Sequence, residues 1–258
     1  MATFDQELRG RIILRSVLPL IKVLPDERPF FKKLLYKASG TVQFAARDSE
    51  QAAWVEYGDG TINVLQGRHE KPGITLTFKT LHDLNTFFAG GLALPSISGL
   101  LGLPAFVRLL PFLLKLTILL PNKLPKEPAE KALKVKLLLY MVTNALSQLN
   151  KGGDPDLTKI TRPSPDRVFQ WTVEGGGPAA YLRIKAGRSK AGRGTYARRR
   201  PFVHFLFPDI DGAFAVLTQQ AALVEAVKAG FVRTEGALEY SKEIGFLMQR
   251  IEKIVTGG

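Results

Sequence analysis

The order of apolar and polar positions repeats once along this chain. Residues 72–90 read PGITLTFKTLHDLNTFFAG, and residues 201–219 read PFVHFLFPDIDGAFAVLTQ. At an offset of 129, Ile74 falls on Val203, Leu76 on Phe205, Phe78 on Phe207 and Leu81 on Ile210. Leu84 then falls on Ala213, Phe87 on Val216 and Phe88 on Leu217. In both copies the spacing is two up to Phe78 or Phe207 and helical beyond it. That pattern predicts a strand with one buried face running directly into an amphipathic helix. The period is far longer than the about 20–50 residues of solenoid repeats, so it implies a duplicated half-protein.

The surrounding pattern fills in each half. Helices are expected over residues 4–18 and 28–37, with Pro19, Pro25 and Pro29 as punctuation. Alternation predicts strands over 41–46, 52–57 and 61–65, the last two joined at Gly58-Asp59-Gly60. The repeated phrase gives strand 73–78 and helix 80–89. In the second half, residues 128–149 read as a long helix, 153–166 as a linker or surface loop, and 167–173 and 179–184 as a hairpin around Gly175-Gly176-Gly177. Ala52-Ala53-Trp54-Val55 matches Ala179-Ala180-Tyr181-Leu182. After the second copy come helix 221–228, a short strand at 231–234 and helix 240–255. The fold class this predicts is α+β: two repeats of an antiparallel, about five-stranded sheet covered by helices. The repeats are expected over residues 1–127 and 128–258.

Charge changes the picture in one place. The chain has 258 residues and a net charge of +13. Residues 183–200, RIKAGRSKAGRGTYARRR, hold eight Lys/Arg and no acid, which equals the whole excess of +8 after residue 127. Such a loop fits an anionic partner, whether nucleic acid, lipid headgroup or small molecule, or else a solvated hairpin. Cysteine is absent, which excludes disulfides, thiol nucleophiles and thiolate metal sites. The start, MATFDQELRGR, has no apolar core before a small-residue cleavage site, so a cytoplasmic protein is expected.

Residues 92–121, LALPSISGLLGLPAFVRLLPFLLKLTILLP, carry only Arg108 and Lys115 as charges. The longest uncharged run falls short of the roughly 20 residues that span a bilayer. So large an apolar girth must pack inside, line a cavity, dimerise or lie in a membrane interface. Pro111 is expected to kink the helix into two segments that could act as a flap.

Catalytic and metal chemistry finds no pattern here. His69, His82 and His204 are isolated. Asp209-Ile210-Asp211-Gly212 lacks the Glu that closes a calcium loop, and Gly187–Gly194 lacks the Gly-Lys-Ser/Thr of a phosphate loop. No cofactor, no metal and no enzymatic activity is expected.

The order of elements in each half resembles the sterol carrier protein type 2 family, small α+β domains whose five-stranded sheet and helices enclose a hydrophobic tunnel. The residues that carry the resemblance are PFVHFLFPDIDGAFAVLTQQ, AALVEAVKAGFVRTEGALEY and KEIGFLMQRIEKI in the second half, and DGTINVLQG with GITLTFKTLHDLNTFFAGG in the first. The first half departs after Gly91, where the leucine-rich segment is expected to replace the short strand and its Gly. The resemblance implies an apolar cavity and the binding or intracellular transfer of a sterol, fatty acid, acyl-CoA or other lipid. Candidates to line that cavity are Trp54, Phe78, Phe87, Phe88, Phe106, Phe112, Tyr181, Phe205, Phe207, Phe214, Leu217, Phe231 and Phe246. Ordinary core packing accounts for any one of them as well. Arg188, Lys190, Arg198, Arg199 and Arg200 are the candidates for an anionic headgroup or membrane surface. Two alternatives stand beside this: a nucleic-acid-binding protein using residues 183–200, and a structural or homo-oligomerisation module using 92–121.

Overall fold

The turn expected at Asp59-Gly60 joins β2 (Ala52–Gly58) to β3 (Thr61–Gln66), with φ of 49° and 76° at its two central residues. Positive φ at both is the two-residue turn that matches strand twist. The computed structural model describes residues 2–36, 39–221 and 223–256, and it contains the same turn again. Ala186-Gly187, with φ of 44° and 77°, joins β7 (Ala179–Lys185) to β8 (Arg188–Arg193). The stretch expected as a basic loop is therefore largely strand and turn. Its alternation of Ser189 with flanking cations was masked by the density of charge.

Two compact units make up the chain, one ending at Leu120 and the other beginning at Pro121. The first unit's sheet also holds β1 (Gly40–Ala46), β4 (Ile74–Phe78) and β5 (Ser96–Ser98), in the order β3-β2-β1-β4-β5. The second unit's sheet adds β6 (Arg167–Val173), β9 (Val203–Phe207) and β10 (Arg233–Gly236), in the equivalent order β8-β7-β6-β9-β10. Both sheets are mixed rather than antiparallel. β1 pairs with β4 in parallel, and β6 with β9 likewise. The cause is the connection after the hairpin. Instead of turning back, residues 67–73 and 194–202 cross over the sheet and deliver the next strand beside the first. The second crossover is two residues longer, so the offset grows from 127 before it to 129 after it.

The fifth strand of the first unit corrects the expectation that the leucine-rich segment replaces it. Ser96–Ser98 pairs antiparallel with β4, as β10 pairs with β9. Each strand ends at a glycine with positive φ, Gly99 at 81° and Gly236 at 92°. A Cβ at Gly99 would lie 2.4 Å from the Gly73 carbonyl oxygen, and one at Gly236 would lie 2.2 Å from that of Phe202. Gly73 and Phe202 occupy equivalent positions, so the same close backbone approach is built twice. Three residues between Pro95 and Gly99 were too few to register as a strand.

Helices cover one face of each sheet. In the first unit these are α1 (Phe4–Ile12), α2 (Leu24–Glu27), α3 (Pro29–Tyr36), α4 (Leu81–Phe88) and α5 (Leu103–Leu116). The chain stays helical past Pro19, passing through a π turn at Ile13–Val17 and a 3-10 stretch at Leu18–Val23. α5 runs through Pro111 as one helix, so the expected division into two segments does not occur. In the second unit they are α6 (Pro128–Lys151), α7 (Pro155–Thr161), α8 (Ile210–Leu217), α9 (Leu223–Lys228) and α10 (Ser241–Thr256). α7 stands where a linker was expected. Buried Asp154 caps it through Leu157 N at 3.0 Å and pairs with Arg250 of α10 at 2.7 Å. Residues 37 and 222, expected in helices, lie outside the described residues.

Candidate functional site

Strand parity sorts each sheet into two faces with different chemistry. Residues i and i+2 share a face. In the second unit, Phe169, Trp171 and Val173 of β6 share a face with Val203, Phe205 and Phe207 of β9, their direct partners. All six are buried. Ala180, Leu182 and Ile184 of β7 extend the same apolar face. Trp171 lies flat on Phe205, with ring centroids 5.2 Å apart and planes 11° from parallel. Its indole Nε1 is buried and has no hydrogen-bond partner. Burying an N–H without an acceptor costs about 1–3 kcal/mol, so this group stands out in an otherwise apolar surface. Trp171 stands at the position of Phe44 in the first unit, and its place on the apolar face is set by strand parity that its lone aromatic signal does not show.

The first unit builds the matching face from Val42, Phe44, Leu76 and Phe78. Phe78, Phe87 and Phe88 come together here. Phe78 meets Phe87 at 5.3 Å, Phe87 meets Phe88 at 5.4 Å, and Phe44 meets Phe88 at 5.4 Å. Phe112 packs on Phe31 at 4.8 Å, and Phe106 is half-buried. Tyr57 OH donates to Ala105 O at 2.9 Å, tying β2 to α5, and burial pushes this phenol's pKa up.

Four of the candidate lining residues sit elsewhere. Trp54 and Tyr181 point to the opposite face, beneath the crossovers. Trp54 stacks edge-on against His69 at 4.4 Å, and Tyr181 against Tyr196 at 5.0 Å. Both side chains alternate with the apolar set, and the aromatic signal hid that parity. Phe231 and Phe246 are exposed. Phe205 and Phe207 are buried on the helix-covered face, Phe214 is buried beneath Lys131, and Leu217 is half-buried.

The crossover faces are pegged by one glutamine each. Gln43 Oε1 accepts from His69 N at 2.6 Å, and Gln170 Oε1 accepts from Tyr196 N at 2.9 Å. Each side-chain amide then reaches the neighbouring parallel strand, Thr75 Oγ1 at 3.4 Å from Gln43 and His204 Nε2 at 3.4 Å from Gln170. His204 also meets Thr172 Oγ1 at 2.9 Å. Burial lowers the His204 pKa, which favours the neutral ring. His69 accepts from Lys71 N, and His82 is exposed.

The basic candidates gather on this outer face of the second unit. Arg188 and Lys190 of β8 lie directly opposite Lys185 and Arg183 of β7, and all four alternate outward. Arg198, Arg199 and Arg200 lie on the crossover beside them and are exposed. Arg199 is partly neutralised, because it pairs with Asp166. Arg183 grips the same carboxylate through two bonds of 2.7 and 2.6 Å. Those bonds to Arg183 hold the Asp166 pKa at about 2. Among the described residues no group of three His, Asp or Glu side chains is placed to hold a metal.

No protein-family model matches the chain, and no curated protein matches it. Among solved structures, the chain is similar to the palmitated sterol carrier protein 2-like 2 of Aedes aegypti, at 16% identity. That likeness covers 42% of this chain and 90% of that one, with a TM-score of 0.31. A ubiquinone synthesis protein described as UbiJ-SCP2 matches at 15% identity over 50% of this chain and 96% of its own, with a TM-score of 0.32. A stereoselective inverting sec-alkylsulfatase from Pseudomonas sp. matches at 14% identity over 56% of this chain and 28% of its own, with a TM-score of 0.27. These likenesses concern fold, and no residue role is carried across from them. The two equivalent mixed sheets, each with the same strand order and the same parallel pair, make the chain a tandem of one α+β fold.

Proposed function

We propose that the second unit binds a bulky apolar ligand carrying one hydrogen-bond acceptor, such as a fatty acid or other lipid, against the helix-covered face of β6 and β9. The observation that supports this most is the buried Trp171 Nε1–H without an acceptor. A carboxylate, ester or ketone oxygen would satisfy it, and the surrounding Phe169, Val203, Phe205 and Phe207 would take the hydrocarbon. Transfer of apolar surface out of water yields roughly 25 cal/mol per Å², so such a ligand needs few polar contacts. The basic outer face, on the other side of the same sheet, would meet an anionic membrane surface rather than the bound ligand. The reading is one of binding and transfer, without a chemical step.

The two tryptophans allow a direct test, since each unit holds one. Trp54→Phe leaves Trp171 as the sole indole. Titration with a brominated fatty acid should then quench the remaining fluorescence saturably, and unlabelled fatty acid should restore it. Unchanged Trp171 emission up to the solubility limit of the fatty acid would overturn the proposal.

A further inference from the structure

The leucine-rich segment of the first unit is exposed where a soluble surface would be polar. Leu92 and Leu101 are fully exposed at 102% and 100%, and Leu94 and Leu100 stand at 93% and 71%. Leu92 and Leu94 lead into β5, and Leu100 and Leu101 follow directly after it, and the side chains of β5 itself are also exposed. The apolar surface continues along α5. At about 100° per residue, this helix divides into three sectors. Ala105, Leu109, Phe112, Leu113 and Leu116 form the buried side. Leu103, Val107 and Leu114 form an exposed stripe on the other side. Arg108 and Lys115 flank that stripe along one boundary. A surface helix normally turns polar residues outward, and this one turns leucine and valine outward.

Charge identifies what covers this surface. Between Asp83 and the end of the first unit at Leu120 there is no acidic residue, whereas Arg108 and Lys115 are basic. An apolar face with cations beside it and no anion along its whole sequence complements an anionic lipid surface. The helical run Leu100–Leu119 is long and apolar enough to cross a membrane by length and composition. Its inner side, however, packs in the first unit through Phe112 on Phe31 and the Tyr57 bond to Ala105. A helix held on one side by its own unit lies in the interface rather than across the bilayer. The geometry points to residues 92–114 as a membrane-docking surface. The leucines of the β5 connections and the outer stripe of α5 enter the headgroup–acyl boundary of an anionic bilayer, and Arg108 and Lys115 stay at the phosphates. This inference concerns the first unit and does not rest on ligand binding by the second.

The test is co-flotation of the full chain with vesicles of phosphatidylcholine alone or with about 30 mol% phosphatidylglycerol. The wild-type chain should float with the anionic vesicles and only weakly with the neutral ones. Leu92→Asp/Leu94→Asp/Leu101→Asp should lose about 100-fold or more in partitioning, since each leucine leaves water on docking. These side chains pack on almost nothing, so the variant should melt as the wild type does. A milder Leu92→Ser/Leu101→Ser variant should fall between the two. An alkaline carbonate wash should release the bound protein. Equal flotation of the triple variant would overturn the inference. So would no flotation of the wild type, retention through the carbonate wash, or a stable lipid-free dimer that the triple variant breaks into monomers. Fatty-acid quenching of Trp171 should be unchanged in the triple variant, so failure of docking and failure of the ligand reading register separately.

Discussion

Gln170→Leu tests whether the crossover is held to the sheet as the structure has it. Gln170 is 3% exposed, and its Oε1 is the acceptor for Tyr196 N at 2.9 Å. Its Nε2 donates to Thr172 Oγ1 at 3.1 Å and approaches His204 Nε2 at 3.4 Å. Leucine removes all three contacts and keeps the volume. The part-buried Tyr196 N–H loses its acceptor at a cost of about 1–2 kcal/mol, and the lost amide contacts add roughly 1 kcal/mol. The extra apolar burial returns about 1 kcal/mol, which leaves a net loss of about 1–2 kcal/mol. Gln43→Leu should cost the first unit a similar amount through His69 N at 2.6 Å. Urea unfolding followed by far-UV circular dichroism gives the change in each unit's transition midpoint. Hydrogen exchange should place the loosened amides at 194–202 in Gln170→Leu and at 67–73 in Gln43→Leu. A loss below about 0.5 kcal/mol in both variants, or loosening spread evenly over the sheet, would refute the peg.

Three further outcomes follow from the same contacts. Gly99→Ala and Gly236→Ala each drive a methyl into a carbonyl oxygen at 2.4 and 2.2 Å, so each should cost about 2 kcal/mol or more in thermal melts. The lowered Asp166 pKa means that its ion pair stabilises the second unit fully above about pH 4 and less as pH falls toward about 2; Asp166→Asn should remove that acid-dependent loss in urea midpoints. His204 is held neutral by burial, so its contribution is complete above about pH 6.5 and falls on acidification. His204→Asn should flatten the stability profile on acidification below about pH 6.5, and an unchanged slope would contradict the burial argument.

The strand–helix phrase was legible because its signal is local. Two-residue spacing of Phe205 and Phe207 followed by a capping Asp209 leaves one reading, and α8 begins where that cap places it. The same holds for Asp59-Gly60, whose residue types demand the turn they make. Features set by long-range pairing were not legible. The parallel pairing of β1 with β4 depends on where the crossover lands, and nothing in residues 67–73 states a direction. β5 is too short to show alternation, and only its carbonyl-crowded glycine marks it. For the site, composition found the aromatic residues but not their faces. Trp54 and Tyr181 looked like lining residues and lie under the crossovers, whereas Trp171 was overlooked. The second glutamine peg was hidden because Tyr196 sits within a run of cations.

The central claim is that the second unit holds an apolar ligand with one polar group at Trp171. Native mass spectrometry of the protein purified from cells without detergent, with extraction and identification of any bound lipid, measures this directly. The account predicts a bound species of lipid mass with an oxygen acceptor, its occupancy reduced in a variant that fills the face, Val203→Trp. A chain that flies at its bare mass, and that takes up no fatty acid when loaded in vitro, would contradict it.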